Sequence, residues 1–231
     1  MLISSLIFLC CLVAFQYYIK RIFFIREPKF TAEFLRSLSS SAFYSPVQGT
    51  IVYKRGLQKG ESIYSLKQGV KIRYPRFNVA PSDGVLIGVY LTIFDKHSVY
   101  TPMECLVASA DHIRTSSNIP MLDVLEYINV HFVRTFKNWY EKNVNGFLSE
   151  NERMVFKLDT GVILYLIADS SVNKVSISES VEFETLDPLT KIAHIRRGSQ
   201  VDIFVPSSLN YTWWICEGDK VDIGSILGER G

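Results

Sequence analysis

Cysteine is scarce in this chain: four residues in 231, at Cys10, Cys11, Cys105 and Cys216. No two form a C-x-x-C pair and no histidine cluster stands near them. That argues against a metal site of the zinc type, a disulfide framework and an oxidising compartment. Charge of one sign is missing too. With 25 Lys and Arg against 23 Asp and Glu the formal net charge is +2, so bulk electrostatics give no reason to expect nucleic acid as a partner. There is no internal repeat and no low-complexity segment. At 231 residues the chain can bury one good core with a small extra element.

What is abundant is apolar sequence. Hydrophobic residues make up 48% and aromatics 13%, which fits a folded protein carrying a membrane segment. Residues 2–18, LISSLIFLCCLVAFQYY, are nearly continuous apolar sequence. At about 1.5 Å per residue this run reaches most of the way across a hydrocarbon core of roughly 30 Å. Ile22 to Ile25 lengthen it if Lys20 and Arg21 snorkel. A cleaved signal peptide would want basic residues before the run and small residues after it, and neither is there. A buried helix is the other alternative. Lys20, Arg21, Arg26 and Lys29 follow the run, so the positive-inside rule places the remainder on the cytosolic or matrix side. The expected organisation is a membrane anchor over residues 1–25, a juxtamembrane linker over 26–44 and one domain over 45–231.

The domain reads as mainly β with a few helices. Ser45-Pro46 starts a turn, and Ile51 to Tyr53 begin a strand. Residues 63–79 read as strands joined by turns. VLIGVYLTIF, residues 85–94, fits a buried strand. Residues 151–169 read as a hairpin turning at Asp159 to Gly161. The clearest helix spans 118–145: Met121, Leu125, Ile128, Phe132, Phe136 and Trp139 form an apolar stripe, with Asn118 as cap, Pro120 in the first turn and Asn145-Gly146 as stop. His131 beside that stripe reads as structural. Trp213 and Trp214 are expected in the core or at its edge.

Two stretches carry candidate chemistry. IAHIRRGSQVDIFVP, residues 192–206, reads as two short strands around Gly198-Ser199, with Val201, Ile203 and Val205 alternating at period two. Locally, a strand with a glycine bulge and a solvent-facing serine explains it. DKHSVYTP, residues 95–102, puts His97 at a strand end, where backbone or solvent could equally satisfy it.

In order along the chain, FFIREP (residues 23–28), SPVQG (45–49), IFDKH (93–97), NER (151–153) and RRGSQVDIFVP (196–206) resemble the phosphatidylserine decarboxylase family, in particular its short form. The tail EGDKVDIGSILGE, residues 217–229, is similar to the family's closing turn of barrel-sandwich type. The resemblance covers roughly residues 22–229, apart from the helix at 118–145, which stands as an insertion. It implies an α+β, mainly β decarboxylase-like domain with barrel-sandwich-type strands.

In that family the Gly-Ser bond cleaves itself and the serine becomes a pyruvoyl group, the ketone that accepts electrons as carbon dioxide leaves. The resemblance thus implies Gly198-Ser199 as the processing site, Ser199 as precursor of the prosthetic group and His97 as an acid/base. Departures accompany it. Gln48 stands where the family has the aspartate that assists self-cleavage, and an amide cannot serve as the carboxylate of an acid/base pair. Tyr100 stands where some members carry a second histidine. Ala193 and Arg197 replace residues that are usually Gly and Phe or Leu. The Arg-rich segment after the hairpin is SSVNKVSI here.

Two functions follow from the resemblance. One is a pyruvoyl-dependent decarboxylase turning phosphatidylserine, an aminophospholipid, into phosphatidylethanolamine. The other is an inactive descendant serving as a structural or assembly subunit of a membrane protein complex, with the helix at 118–145 as its contact surface. An amine- or lipid-binding protein using the old pocket is a third. The expected location is a mitochondrial inner membrane or a bacterial plasma membrane.

Overall fold

The computed structural model describes residues 2–18, 26–67, 70–73, 77–92, 94–113, 152–168, 175–178, 184–195 and 199–231. The helix expected over 118–145, His131 within it, Asn151 and Gly198 lie outside the described residues.

Helix α1 (Leu2–Tyr18) has 17 residues and is apolar on every side. Among the described residues no helix is long and apolar enough to cross a membrane. The spanning helix expected over residues 1–25 is therefore not found among the described residues, and residues 19–25 of that expectation lie outside them. Helix α2 (Ala32–Arg36) is one short turn, and Thr31 caps it by accepting a hydrogen bond from the Phe34 amide at 3.1 Å.

The domain is built on antiparallel strands. Its largest sheet has eight, in the order β11 (Thr185–Leu186), β7 (Cys105–Ile113), β8 (Arg153–Leu158), β9 (Ile163–Ala168), β13 (Ser199–Pro206), β5 (Gly84–Leu91), β2 (Gly49–Leu57) and β15 (Lys220–Val221). Three smaller sheets join β1 (Ala42–Tyr44), β16 (Ile226–Arg230) and β14 (Tyr211–Trp213); β10 (Val175–Ile177), β12 (Lys191–Ile195) and β6 (Ser98–Tyr100); and β3 (Tyr64–Lys67) with β4 (Val70–Arg73). The architecture is mainly β with few helices, as the sequence implied. Both outer strands of the large sheet are two residues long.

Period-two alternation divides the large sheet into two buried faces. Val201, Ile203 and Val205 of β13 meet Ile87, Val89 and Leu91 of β5 and Leu164 and Leu166 of β9 in the main core. On the other face Phe204, Leu86, Tyr165 and Ile167 pack with Tyr53, Leu57, Ile63 and Ala80. That second face also buries Gln200 and Asp202. The Gln200 Nε2 donates to Asp202 Oδ1 at 2.8 Å and to Ser65 Oγ at 2.5 Å. A row of polar residues that resembles a wet face is thus roofed by the chain around β3.

The hairpin expected at 151–169 is present as β8 and β9, with Gly161 supplying the positive φ of 84° at its turn. Two residues of the Asn-Glu-Arg motif are described. Glu152 pairs with His112, and Arg153 is fully buried at the start of β8. The run 85–94 does not remain strand throughout. β5 stops at Leu91 because the Asp95 carboxylate accepts hydrogen bonds from the Thr92 amide and hydroxyl, each at 2.7 Å, and closes a turn. That turn leaves Phe94 70% exposed. Trp213 packs edge-on against Phe43 at 5.3 Å, whereas Trp214 is exposed.

Candidate functional site

Three neighbouring strands converge at one end of the large sheet. β2 begins directly after Gln48, β5 ends just before the loop carrying His97, and β13 begins at Ser199. Thr50 of β2 faces Tyr90 of β5, and Leu91 of β5 faces Ser199. On its other side Ser199 faces Ala168 of β9. The close pairing of β2 and β5 requires Gly49, because a Cβ there would stand 2.3 Å from the Tyr90 carbonyl oxygen. Pairing therefore brings Gln48, the His97 loop and Ser199 to the same place from positions far apart in sequence. Gly198, Arg196 and Arg197 lie outside the described residues, and Ser199 is described by its backbone.

Gln48 is tied to this loop through its side chain. Its Oε1 accepts a hydrogen bond from the Lys96 amide at 2.8 Å. It thus holds the backbone one residue before His97. The same loop is joined to the strand leading towards Ser199, because the Ile195 amide of β12 donates to the His97 carbonyl at 2.9 Å. β12 pairs with β6, setting His194 opposite Ser98, and the Ser98 Oγ lies 3.3 Å from His194 Nδ1.

His194 was not singled out in the sequence. Its only signal there is a polar ring inside an apolar strand four residues before Gly198. Its relevance depends on the β12–β6 pairing, which local pattern does not reveal.

His97 is fully buried and its pKa is lowered from 6.5 to about 4. Burial is the main cause, followed by the charges of His194 and Arg26, while a backbone hydrogen bond at Asp95 acts the other way. The ring is therefore neutral at pH 7. It is also a weak base, since the groups acting on its charge have the same sign as imidazolium. Carboxylates near the site are committed elsewhere: Asp95 closes its turn, Asp222 pairs with Lys96 at 3.2 Å, and Glu27 pairs with Lys191. Tyr100 is buried and its phenol is pushed up to about 12, first by burial and then by Glu27, so it stays protonated.

The stretch read as a linker over 26–44 runs along this site. Phe30 meets the Tyr100 ring edge-on at 5.8 Å and stacks on Phe34 at 5.5 Å. The Ser39 amide donates to the Tyr44 hydroxyl at 2.6 Å, and residues 42–44 form β1 against β16.

The family model for phosphatidylserine decarboxylase matches residues 21–229. The chain belongs to the phosphatidylserine decarboxylase family. A comparison with curated proteins finds no match. Membership supports a phosphatidylserine-decarboxylase-like function within phospholipid biosynthesis, in a family known for its pyruvoyl group. Gln48 is an amide engaged with the Lys96 backbone, and His97 has its proton affinity lowered rather than raised. Among the described residues no group of three or more His, Cys, Asp or Glu is arranged to hold a metal ion.

Proposed function

We propose that this chain is a phosphatidylserine-decarboxylase-like protein that keeps Gly198-Ser199 whole and works as a membrane-attached structural or assembly subunit. One observation carries this reading: the Gln48 amide is hydrogen bonded to the Lys96 backbone where a carboxylate would have to assist His97. Without that carboxylate, a histidine held near pKa 4 is ill suited to take the proton of a serine hydroxyl at neutral pH. Tyr100, protonated and buried against Phe30, offers no second imidazole.

Membrane attachment is supported by α1. Its large apolar side chains, Phe8, Leu9, Leu12, Val13 and Phe15 among them, are exposed in the isolated chain, and a helix apolar on all sides belongs in protein or lipid. The basic residues after it favour the cytosolic or matrix face of a bacterial plasma membrane or a mitochondrial inner membrane. The stretch 118–145, with its apolar stripe, is the surface proposed to contact other subunits.

A second reading is an active decarboxylase converting phosphatidylserine into phosphatidylethanolamine. Membership of a family known for its pyruvoyl group favours it. When formed, a pyruvoyl group would supply the electron sink for losing carbon dioxide. The full chain in detergent micelles, treated with a hydrazide that captures ketones and assayed on phosphatidylserine vesicles, separates the two. The first reading expects no label and no carbon dioxide. Label on a fragment beginning at residue 199, with carbon dioxide released, would establish the second.

A further inference from the structure

We propose that Arg26–Phe30 is a strap that docks on the β6–β12 pair, covers the His97 site and links the position of α1 to access to that site. This concerns the same site as the proposed function but does not depend on whether Ser199 is cut.

Two side chains of the strap make well-placed contacts. Glu27 forms an ion pair with Lys191, the first residue of β12. Phe30 lies edge-on against Tyr100, the last residue of β6, and belongs with Leu189 and Ile223 in a small apolar cluster. Lys191 and Tyr100 are themselves cross-strand partners, so both contacts fall at one end of the same strand pair. At its other end the strap brings Arg26 close enough to His97 for its charge to act on the ring. His97 beneath is fully buried.

Two features make such a strap movable. Among the described residues, no backbone hydrogen bond ties residues 26–30 to β6 or β12. Pro28, in its middle, has no amide to donate. The strap also follows α1 after a short connection. Seven residues lie between Tyr18 and Arg26, and the eight Cα steps reach at most about 29 Å when fully extended. Displacement of the helix in a bilayer or against a partner would thus pull on the strap before it disturbed a sheet.

The test is the reactivity of each histidine towards diethyl pyrocarbonate, mapped by peptide mass on the full chain in micelles. His112, partly exposed and paired with Glu152 on another sheet, is the internal control. Phe30→Ala and Glu27→Lys are each expected to speed modification of His97 by roughly three- to tenfold, the population change expected from losing an aromatic contact or reversing a charge pair. His112 should be unaffected. Glu27→Lys combined with Lys191→Glu should restore protection. His97 modified at the wild-type rate in both single variants would overturn the strap, as would an equal rise at His112, which marks general loosening. Neither result would bear on self-cleavage, which is read separately from chain mass.

Discussion

Stability should fall in mild acid, and His97 should be responsible for a measurable part of the fall. In the unfolded chain its ring has the ordinary pKa of 6.5, and in the fold the value is about 4. Between these two values the unfolded state holds a proton that the folded state refuses. The contribution is therefore complete above pH 6.5 and is lost as the pH falls towards 4. That gap corresponds to about 3 kcal/mol of folding free energy. Urea unfolding of the full chain in micelles, followed by tryptophan fluorescence from pH 7.5 to 4.5, measures it. Other carboxylates titrate in the same range, so the comparison is with His97→Gln, which carries the same background. Wild type should lose about 2–3 kcal/mol more than the variant over this interval. Parallel stability curves would refute the reasoning, for they would mean that the ring titrates alike in both states.

Other outcomes follow from particular contacts. Gly88→Ala should destabilise the domain by about 1–3 kcal/mol, because its Cβ would lie 2.5 Å from the Tyr53 ring; an unchanged urea midpoint would contradict that packing. Iodoacetamide at pH 8 should label Cys216, which is exposed, and spare Cys105 until the chain is denatured. Burial pushes the Cys105 thiol up to about 12, with Asp159 and Glu104 adding to the shift, so native labelling of Cys105 as fast as Cys216 would contradict that burial. Gln48→Asp combined with Tyr100→His should yield some chain split before Ser199. No fragments would show that the missing acid and imidazole are not what keeps the chain whole.

Much of the β architecture is legible in local pattern. Val201, Ile203 and Val205 alternate and do line the core, and Asp159 to Gly161 do turn the hairpin. Local pattern misleads where tertiary contacts decide. Gln200 and Asp202 sit at the alternate positions that usually face water, yet the chain around β3 covers them and they bond to each other. Ile93 and Phe94 extend an apolar run beyond the true end of β5, because the stop signal is a side-chain cap from Asp95.

At the candidate site, the family resemblance points to Gln48, His97 and Ser199, and strand pairing explains why three distant segments meet. His194 is not recognisable in advance, and Arg26 and Glu27 are legible only as members of FFIREP, not as groups that pack on this site. Their parts depend on which strands lie side by side and on which surface the linker over 26–44 rests. For α1, composition suits a bilayer, and the residues expected to lengthen it, 19–25, lie outside the described residues.

Whether the acid/base pair needed for self-cleavage is missing is tested most directly by the intact mass of the full chain, purified and denatured. The account predicts a single species at the full mass of 26.4 kDa, with Ser199 present as serine. Two fragments divided before Ser199, the smaller one blocked at its N-terminus, would contradict it and make the chain a processed decarboxylase.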